Sequence, residues 1–100
     1  MAFSYALVDR GTTLATRPFG RELRADLVQK AAGHRVVELD FSGVLSTSHS
    51  FADEFVARLA EESRSGEVDF EVTLSGVSTE VGRVVHGALD RRDIQLTELV

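Results

Sequence analysis

Cysteine is absent from the 100 residues of this sequence. The chain therefore has no disulfide, no thiolate zinc site and no cysteine nucleophile. No stretch approaches the roughly 18 apolar residues that a membrane helix needs. The start, "MAFSYALVDRG", lacks the basic residues and long apolar run of a signal peptide. We therefore expect a cytoplasmic protein that does not enter a membrane.

Positive charge is also scarce. Eleven basic residues face 16 acidic ones, which gives a net charge of −5. Nucleic acids and anionic membrane surfaces normally meet a basic face, so neither is an expected partner. A content of 43% hydrophobic and 27% charged residues is ordinary for a globular chain. The length predicts a single small domain over residues 1–100.

Motifs for nucleotide binding and hydrolysis are missing. Neither G-x-x-x-x-G-K-[ST] nor G-x-G-x-x-G occurs, and there is no G-x-S-x-G elbow. Ser50, His49 and Asp53 are the residue types of a Ser-His-Asp triad, but a triad usually takes its members from distant parts of the chain. His49 and Asp53 alone are too few for a zinc site. We expect no catalytic residues, no cofactor and no metal, and hence no enzyme.

Alternating and four-residue apolar spacings predict the elements of the fold. A strand is predicted over residues 3–8, and residues 12–16 can pair back on it as a short second strand. A helix is predicted from Pro18, a residue that suits a first helical turn. Its apolar face lies at four-residue intervals: Phe19, Leu23, Leu27 and Ala31.

The rest of the chain predicts strands over residues 35–41, 68–74 and 93–99, the last of them short. The second helix carries Phe51, Phe55 and Leu59, and the third spans Val77 to Leu89. Strands joined through helices are expected to be parallel, with right-handed crossovers. The predicted fold is therefore α/β, with a four- to five-stranded, mostly parallel or mixed sheet and about three helices.

A polar turn, "STSHS" at residues 46–50, separates the predicted central strand from the second helix. In open α/β sheets, sites collect beyond the carboxyl ends of strands. Ser50 and Asp53 fit the N-cap and third positions of a helix, with Ser48 as the alternative cap. The functional interpretation is an exposed docking or phosphorylation surface, where a phosphate would add about −1.5 to −2 charges beside Asp53 and Glu54 and be repelled.

The segment "VVELDFSGVLSTSHSFADEFVARL", residues 36–59, resembles the STAS-like family DUF4325. Members of that family typically carry a strand ending in D-F-x-G-V, a serine-rich turn and then S-F-A-D-E. The upstream "ATRPFGRELRADL" is similar to the same family. STAS domains (sulfate transporter and anti-sigma factor antagonist) are bacterial interaction modules. The resemblance implies a sheet with helices mostly on one side.

In anti-sigma factor antagonists, a D-S-S-G turn before the second helix holds a phosphorylated serine. A kinase-type anti-sigma factor docks there, and phosphorylation ends the binding. On that turn, Ser48, His49 and Ser50 lie over D-S-S and Phe51 lies over the glycine. His49 then occupies the phosphoacceptor position, while a one-residue shift brings Ser48 or Ser50 into place. The resemblance therefore implies three candidate acceptors.

By resemblance, the chain is a non-catalytic interaction module in signalling. Its expected partner is a histidine-kinase-like ATPase or another anti-sigma-type factor. The expected contacts beside the acceptor candidates are Ser46, Thr47, Asp53 and Glu54. Two alternatives stay open: a sensor for a small ligand or nucleotide, and a phosphotransfer protein with His49 as acceptor. The oligomeric state is left open as well.

Overall fold

Four parallel strands form the main sheet of the computed structural model, which describes residues 2–99. They are β1 (Phe3–Ala6), β3 (Val36–Asp40), β5 (Glu71–Ser75) and β6 (Thr97–Leu99), in the order β1-β3-β5-β6. The register places Tyr5 opposite Leu39, and Leu39 opposite Leu74. The predicted α/β class is confirmed, and every strand pair in the described part of the chain is parallel.

Three helices connect these strands. The first, α1, spans Arg17–Lys30 behind the N-cap Thr16. The second, α2, covers residues 49–65 and is continuous through an α-helical start at His49–Ala52, a π-helical stretch at Asp53–Ala57 and an α-helical end at Arg58–Ser65. The third, α3, spans Thr79–Arg91 behind the N-cap Ser78. None of these helices is long and apolar enough to cross a membrane.

All three helices lie on one face of the sheet. Each crossover steps one strand further in the same direction, and right-handed crossovers of that kind place every helix on the same side. Side-chain contacts agree, because Tyr5 of β1 meets both Asp26 of α1 and Phe55 of α2. At the other edge, Glu98 of β6 meets His86 of α3.

The core fills the space between this face and the helices. Alternate strand residues such as Val37, Leu39 and Leu74 are fully buried, while their neighbours are at least partly exposed. On α1, Leu23, Leu27 and Ala31 are fully buried as the four-residue spacing predicts, and Phe19 is half-buried beside them.

The short second strand is real, but its predicted partner is wrong. β2 (Thr13–Leu14) pairs in parallel with β4 (Ser46–Thr47) instead of returning onto β1. The chain turns away because β1 ends at Ala6 and a single 3-10 turn, Leu7–Arg10, follows with Leu7 fully buried. A two-stranded sheet therefore joins the segment before α1 to the segment before α2.

Other boundaries also differ from the predictions. The last strand, predicted over residues 93–99, forms only over Thr97–Leu99. The strand predicted over residues 68–74 is β5, which begins only at Glu71. Gly66 ends α2 in a left-handed conformation, and a loop carries Phe70 into the core before pairing begins. At the start of α2, the Ser50 cap prediction is wrong, since Ser48 is the N-cap.

Candidate functional site

The turn between β4 and α2, residues 46–50, is fixed by hydrogen bonds to the segment before α1. The Ser48 amide donates to the Leu14 carbonyl at 2.9 Å, and the Thr47 hydroxyl donates to the same oxygen at 3.0 Å. The Ser46 hydroxyl lies 3.4 Å from that of Thr13. These hydrogen bonds hold the backbone and side chains of the turn on the side that faces residues 13–15. The opposite, outer side of the turn faces solvent.

Ser48 has both hydrogen-bonding roles of its hydroxyl occupied. It accepts from the Phe51 amide at 3.0 Å, the bond that caps α2. It also donates to the Ala15 carbonyl at 2.6 Å. The backbone of Ser48 is extended, as an N-cap requires. Ser50 lies inside the first helical turn, where its side chain has no capping role. The alternative cap proposed from the sequence is the one that forms.

His49 and Ser50 occupy the exposed outer side of the turn. The His49 ring packs over Gly87 of α3, where a Cβ would lie 3.5 Å from its Cε1 atom. Within residues 2–99, neither side chain makes a hydrogen bond to another protein group. The Ser50 hydroxyl is therefore the free one of the turn, whereas the hydroxyls of Thr47 and Ser48 are engaged.

The Ser50-His49-Asp53 combination is not assembled as a triad. Asp53 turns away from the turn and is held by Arg92, whose Nε and Nη2 atoms lie 2.9 Å and 3.1 Å from its two oxygens. Arg17 donates to it as well, at 2.9 Å. Hydrogen bonds from Arg92 and Arg17 lower the pKa of Asp53 to about 2, so the carboxylate stays charged and occupied at neutral pH.

The sequence predicted that Asp53 and Glu54 lie on an exposed surface of α2, and this is wrong for Glu54. Glu54 is only 3% exposed. Arg24 of α1 donates to its carboxylate at 2.7 Å and to its backbone carbonyl at 3.0 Å. Arg17 reaches the other carboxylate oxygen at 3.2 Å. Burial alone raises the pKa of Glu54, but the hydrogen bonds from Arg24 and Arg17 outweigh it and the pKa falls.

These contacts belong to one network of charges that joins the three helices. Arg24 also donates a hydrogen bond to Glu62 at 3.0 Å, and Arg92, the residue after α3, donates one to Glu61 at 2.8 Å. The π-helical stretch Asp53–Ala57 carries both acids of its first turn into this network. Gly20 of α1 permits the close approach, since a Cβ there would lie 3.2 Å from the Glu54 Cβ and from the Phe51 carbonyl oxygen.

The sequence analysis missed the arginines of this network. Arg24 lies off the apolar face predicted for α1, a position typical of an exposed side chain, yet its side chain is only 14% exposed. A signal was present, because Arg17, Arg21 and Arg24 follow helical spacing around Gly20. Arg92 lies beyond α3, and no local pattern connects it with Asp53.

The carboxyl end of β3 is closed by a local turn. The Asp40 carboxylate accepts from the Ser42 amide at 2.9 Å. Gly76, after β5, lies so close to Ser42 that a side chain there would clash. Asp40 thus shapes this end of the sheet, while the turn of residues 46–50 stands further along the chain. In the described part of the chain, no group of three or more His, Asp or Glu residues is arranged to hold a metal.

A one-sided parallel sheet and a polar turn ahead of its second helix define an α/β domain of the STAS-like class. The model of the family described as "STAS-like domain of unknown function (DUF4325)" matches residues 20–81, more than half of the chain. The chain belongs to that family. No curated protein and no solved structure matches it significantly.

Proposed function

We propose that this domain is a non-catalytic interaction module whose partner binds the turn of residues 46–50. The observation that carries the proposal is the difference between neighbouring side chains of the turn. Thr47 and Ser48 form hydrogen bonds to the segment before α1, while His49 and Ser50 are exposed. A rigid backbone that presents free polar side chains binds without a large loss of conformational entropy. Membership of a STAS-like family supports the same role.

An exposed apolar side chain adjoins the turn. Leu45, immediately before Ser46, is 68% exposed. A partner that covers this side chain gains free energy, since burial of apolar surface removes it from water. The proposed contact surface is therefore Leu45, Ser46, His49 and Ser50. Asp53 and Glu54 support it from behind, because arginines already occupy their carboxylates.

The proposed partner is a histidine-kinase-like ATPase or another regulatory protein of the anti-sigma type, and the proposed setting is bacterial signalling in the cytoplasm. A phosphate on the turn would end the binding. Ser50 is the proposed acceptor because its hydroxyl is free and exposed. A phosphate on Ser48 would replace the hydroxyl proton that Ser48 donates to Ala15 and would put negative charge against a carbonyl oxygen.

The test is capture of partners by the tagged chain in its native cells. Wild type is compared with Ser50→Lys, which changes the proposed surface, and with Gln29→Lys, which adds the same charge to an exposed site on α1. We expect one regulatory ATPase to co-purify with wild type and Gln29→Lys and to be lost with Ser50→Lys. Equal capture by all three chains, or no specific protein, would contradict the proposal.

Two other outcomes would replace the proposal with the alternatives. A nucleotide or small metabolite that raises the melting temperature of the purified chain would indicate a sensor. Phosphoryl transfer that is lost completely in His49→Ala would indicate a phosphotransfer protein. The proposed module predicts neither result, because His49 packs over Gly87 and is bonded to no activating group in residues 2–99.

A further inference from the structure

Within residues 2–99, one face of the main sheet carries no helix. The three crossovers place α1, α2 and α3 on the other side, and alternate residues of all four strands point away from them. Sheets made only of parallel strands are normally covered on both faces. A parallel sheet with a bare face is therefore unusual, and the question is what covers it.

The residues on this face form rows across the strands. Ser4, Glu38, Thr73 and Thr97 are neighbours in one row, as the register of the four strands shows. The next row towards the carboxyl ends of the strands contains Ala6, Asp40, Ser75 and Leu99, and the row on the other side contains Glu71 beside Val36. The face is thus built mainly of hydroxyls and carboxylates, which a water-exposed or reversible contact tolerates and a permanent apolar interface does not.

The charge on the face has one sign. Glu38, Asp40 and Glu71 point outward, and none of the outward-facing residues of the four strands is Arg or Lys. From the spacings of a sheet, the Cα atom of Asp40 lies about 6.6 Å from that of Glu38 along the same strand, and the Cα atom of Glu71, on the neighbouring strand beside Val36, lies about 8 Å away. The Ser75 hydroxyl, which donates to Glu38 at 2.6 Å, is a fixed neutral partner and leaves the charge in place.

We propose that the bare face of the sheet is a docking surface for a second partner, a protein that presents arginine or lysine side chains. A positively charged partner complements this negatively charged face, which has no basic strand residue of its own. A second copy of the chain does not supply it through the same face, because a symmetric pair would oppose carboxylate to carboxylate. The surface is distinct from the turn of residues 46–50, which packs against α1 and α3 on the helix-bearing side.

The test uses octa-arginine as a defined basic probe, titrated into the isotope-labelled chain and followed by the backbone amide signals. The face variant is Glu38→Arg with Glu71→Arg, and the control is Glu22→Arg with Glu80→Arg, two exposed acids on α1 and α3. Both change the net charge equally. We expect shifts on the bare face, centred on Glu38 and Thr73, and affinity at least about tenfold weaker in the face variant alone.

Shifts spread evenly over all acidic residues, or equal weakening in both variants, would overturn the proposal. So would a concentration-dependent dimer that the face variant abolishes, since a second copy would then be the occupant. Should the arginine variant fold poorly, Glu38→Gln with Glu71→Gln removes the same charges with less disturbance and is expected to weaken the probe in the same direction. The capture experiment with Ser50→Lys does not affect the octa-arginine titration. The proposal for the turn and the proposal for the bare face can therefore be disproved separately.

Discussion

The Ser48 hydroxyl donates a hydrogen bond to the Ala15 carbonyl oxygen at 2.6 Å. The same hydroxyl caps α2 through the Phe51 amide. One side chain therefore joins the start of α2 to the segment ahead of α1. The proposed binding turn is consequently a rigid part of the fold, with only its outer side chains available to a partner.

Substitution Ser48→Ala is expected to lower the free energy of unfolding by about 1–2 kcal/mol, the usual effect of losing an N-cap. Ser50→Ala is the matched control two residues away. It is expected to change stability by no more than about 0.5 kcal/mol, since the Ser50 hydroxyl has no partner in residues 2–99 and alanine favours the helix. Urea denaturation measures both, and equal losses would contradict the assignment of the cap.

Two glycines inside helices should respond to alanine in opposite directions. Gly87→Ala is expected to stabilise the protein by about 0.5–1 kcal/mol, because alanine favours helix and the added Cβ makes an ordinary 3.5 Å contact with His49. Gly20→Ala is expected to destabilise it, because the Cβ would lie 3.2 Å from the Phe51 carbonyl oxygen and the Glu54 Cβ. Thermal unfolding of the two variants shows whether each change in stability is a gain or a loss. A stabilised Gly20→Ala would contradict the close packing of α1 against α2 at this glycine.

Removing Arg24, the cation that faces Glu54, should lower the free energy of unfolding more than removing Arg24 and Glu54 together. Arg24→Met leaves a buried carboxylate with weaker compensation from Arg17, and a loss of about 3 kcal/mol is expected. The double substitution Arg24→Met with Glu54→Leu removes both charges and is expected to recover part of that loss. A double-mutant cycle in urea tests this, and strictly additive effects would contradict direct coupling of the two side chains.

The pH dependence of stability should show the protonation of the Asp53 carboxylate. Its pKa is lowered from 3.8 to about 2, mainly by hydrogen bonds from Arg92. Because the native pKa lies below the unfolded one, the stabilisation is present at neutral pH and is lost as pH falls from about 5 to about 2. The shift corresponds to roughly 2 kcal/mol. Asp53→Asn should therefore be less stable than wild type at pH 7, and the difference should shrink towards pH 2. A constant difference across that range would contradict the pairing.

The secondary structure was largely predictable because its signals are local. Leu23 and Leu27 mark the buried side of α1 by their spacing, and alternation marks Val37 and Leu39 in β3. The pairing of β2 with β4 was not predictable. Each strand is two residues long, and the parallel pairing joins segments more than 30 residues apart. No local pattern encodes such a partner.

The site was predictable in position but not in detail. Polar residues between a strand and a helix located the turn, yet Ser48 and Ser50 both fitted the cap. The choice depended on Ala15, whose carbonyl offers Ser48 a second bond. Glu54 resembled a surface acid next to Asp53, because the arginines that enclose it come from another helix. The helical spacing of Arg17, Arg21 and Arg24 marks a basic side of α1, but no local pattern shows which acid that side meets.

The most direct test of the central claim is the phosphate occupancy of the turn in the two pools of the protein. The tagged chain is purified from its native cells, separated into partner-bound and free fractions, and analysed by mass spectrometry at Ser48, His49 and Ser50. The account predicts phosphate on Ser50 in the free fraction and unmodified Ser50 in the bound one. Phosphate on Ser48, or equal occupancy of Ser50 in both fractions, would contradict it.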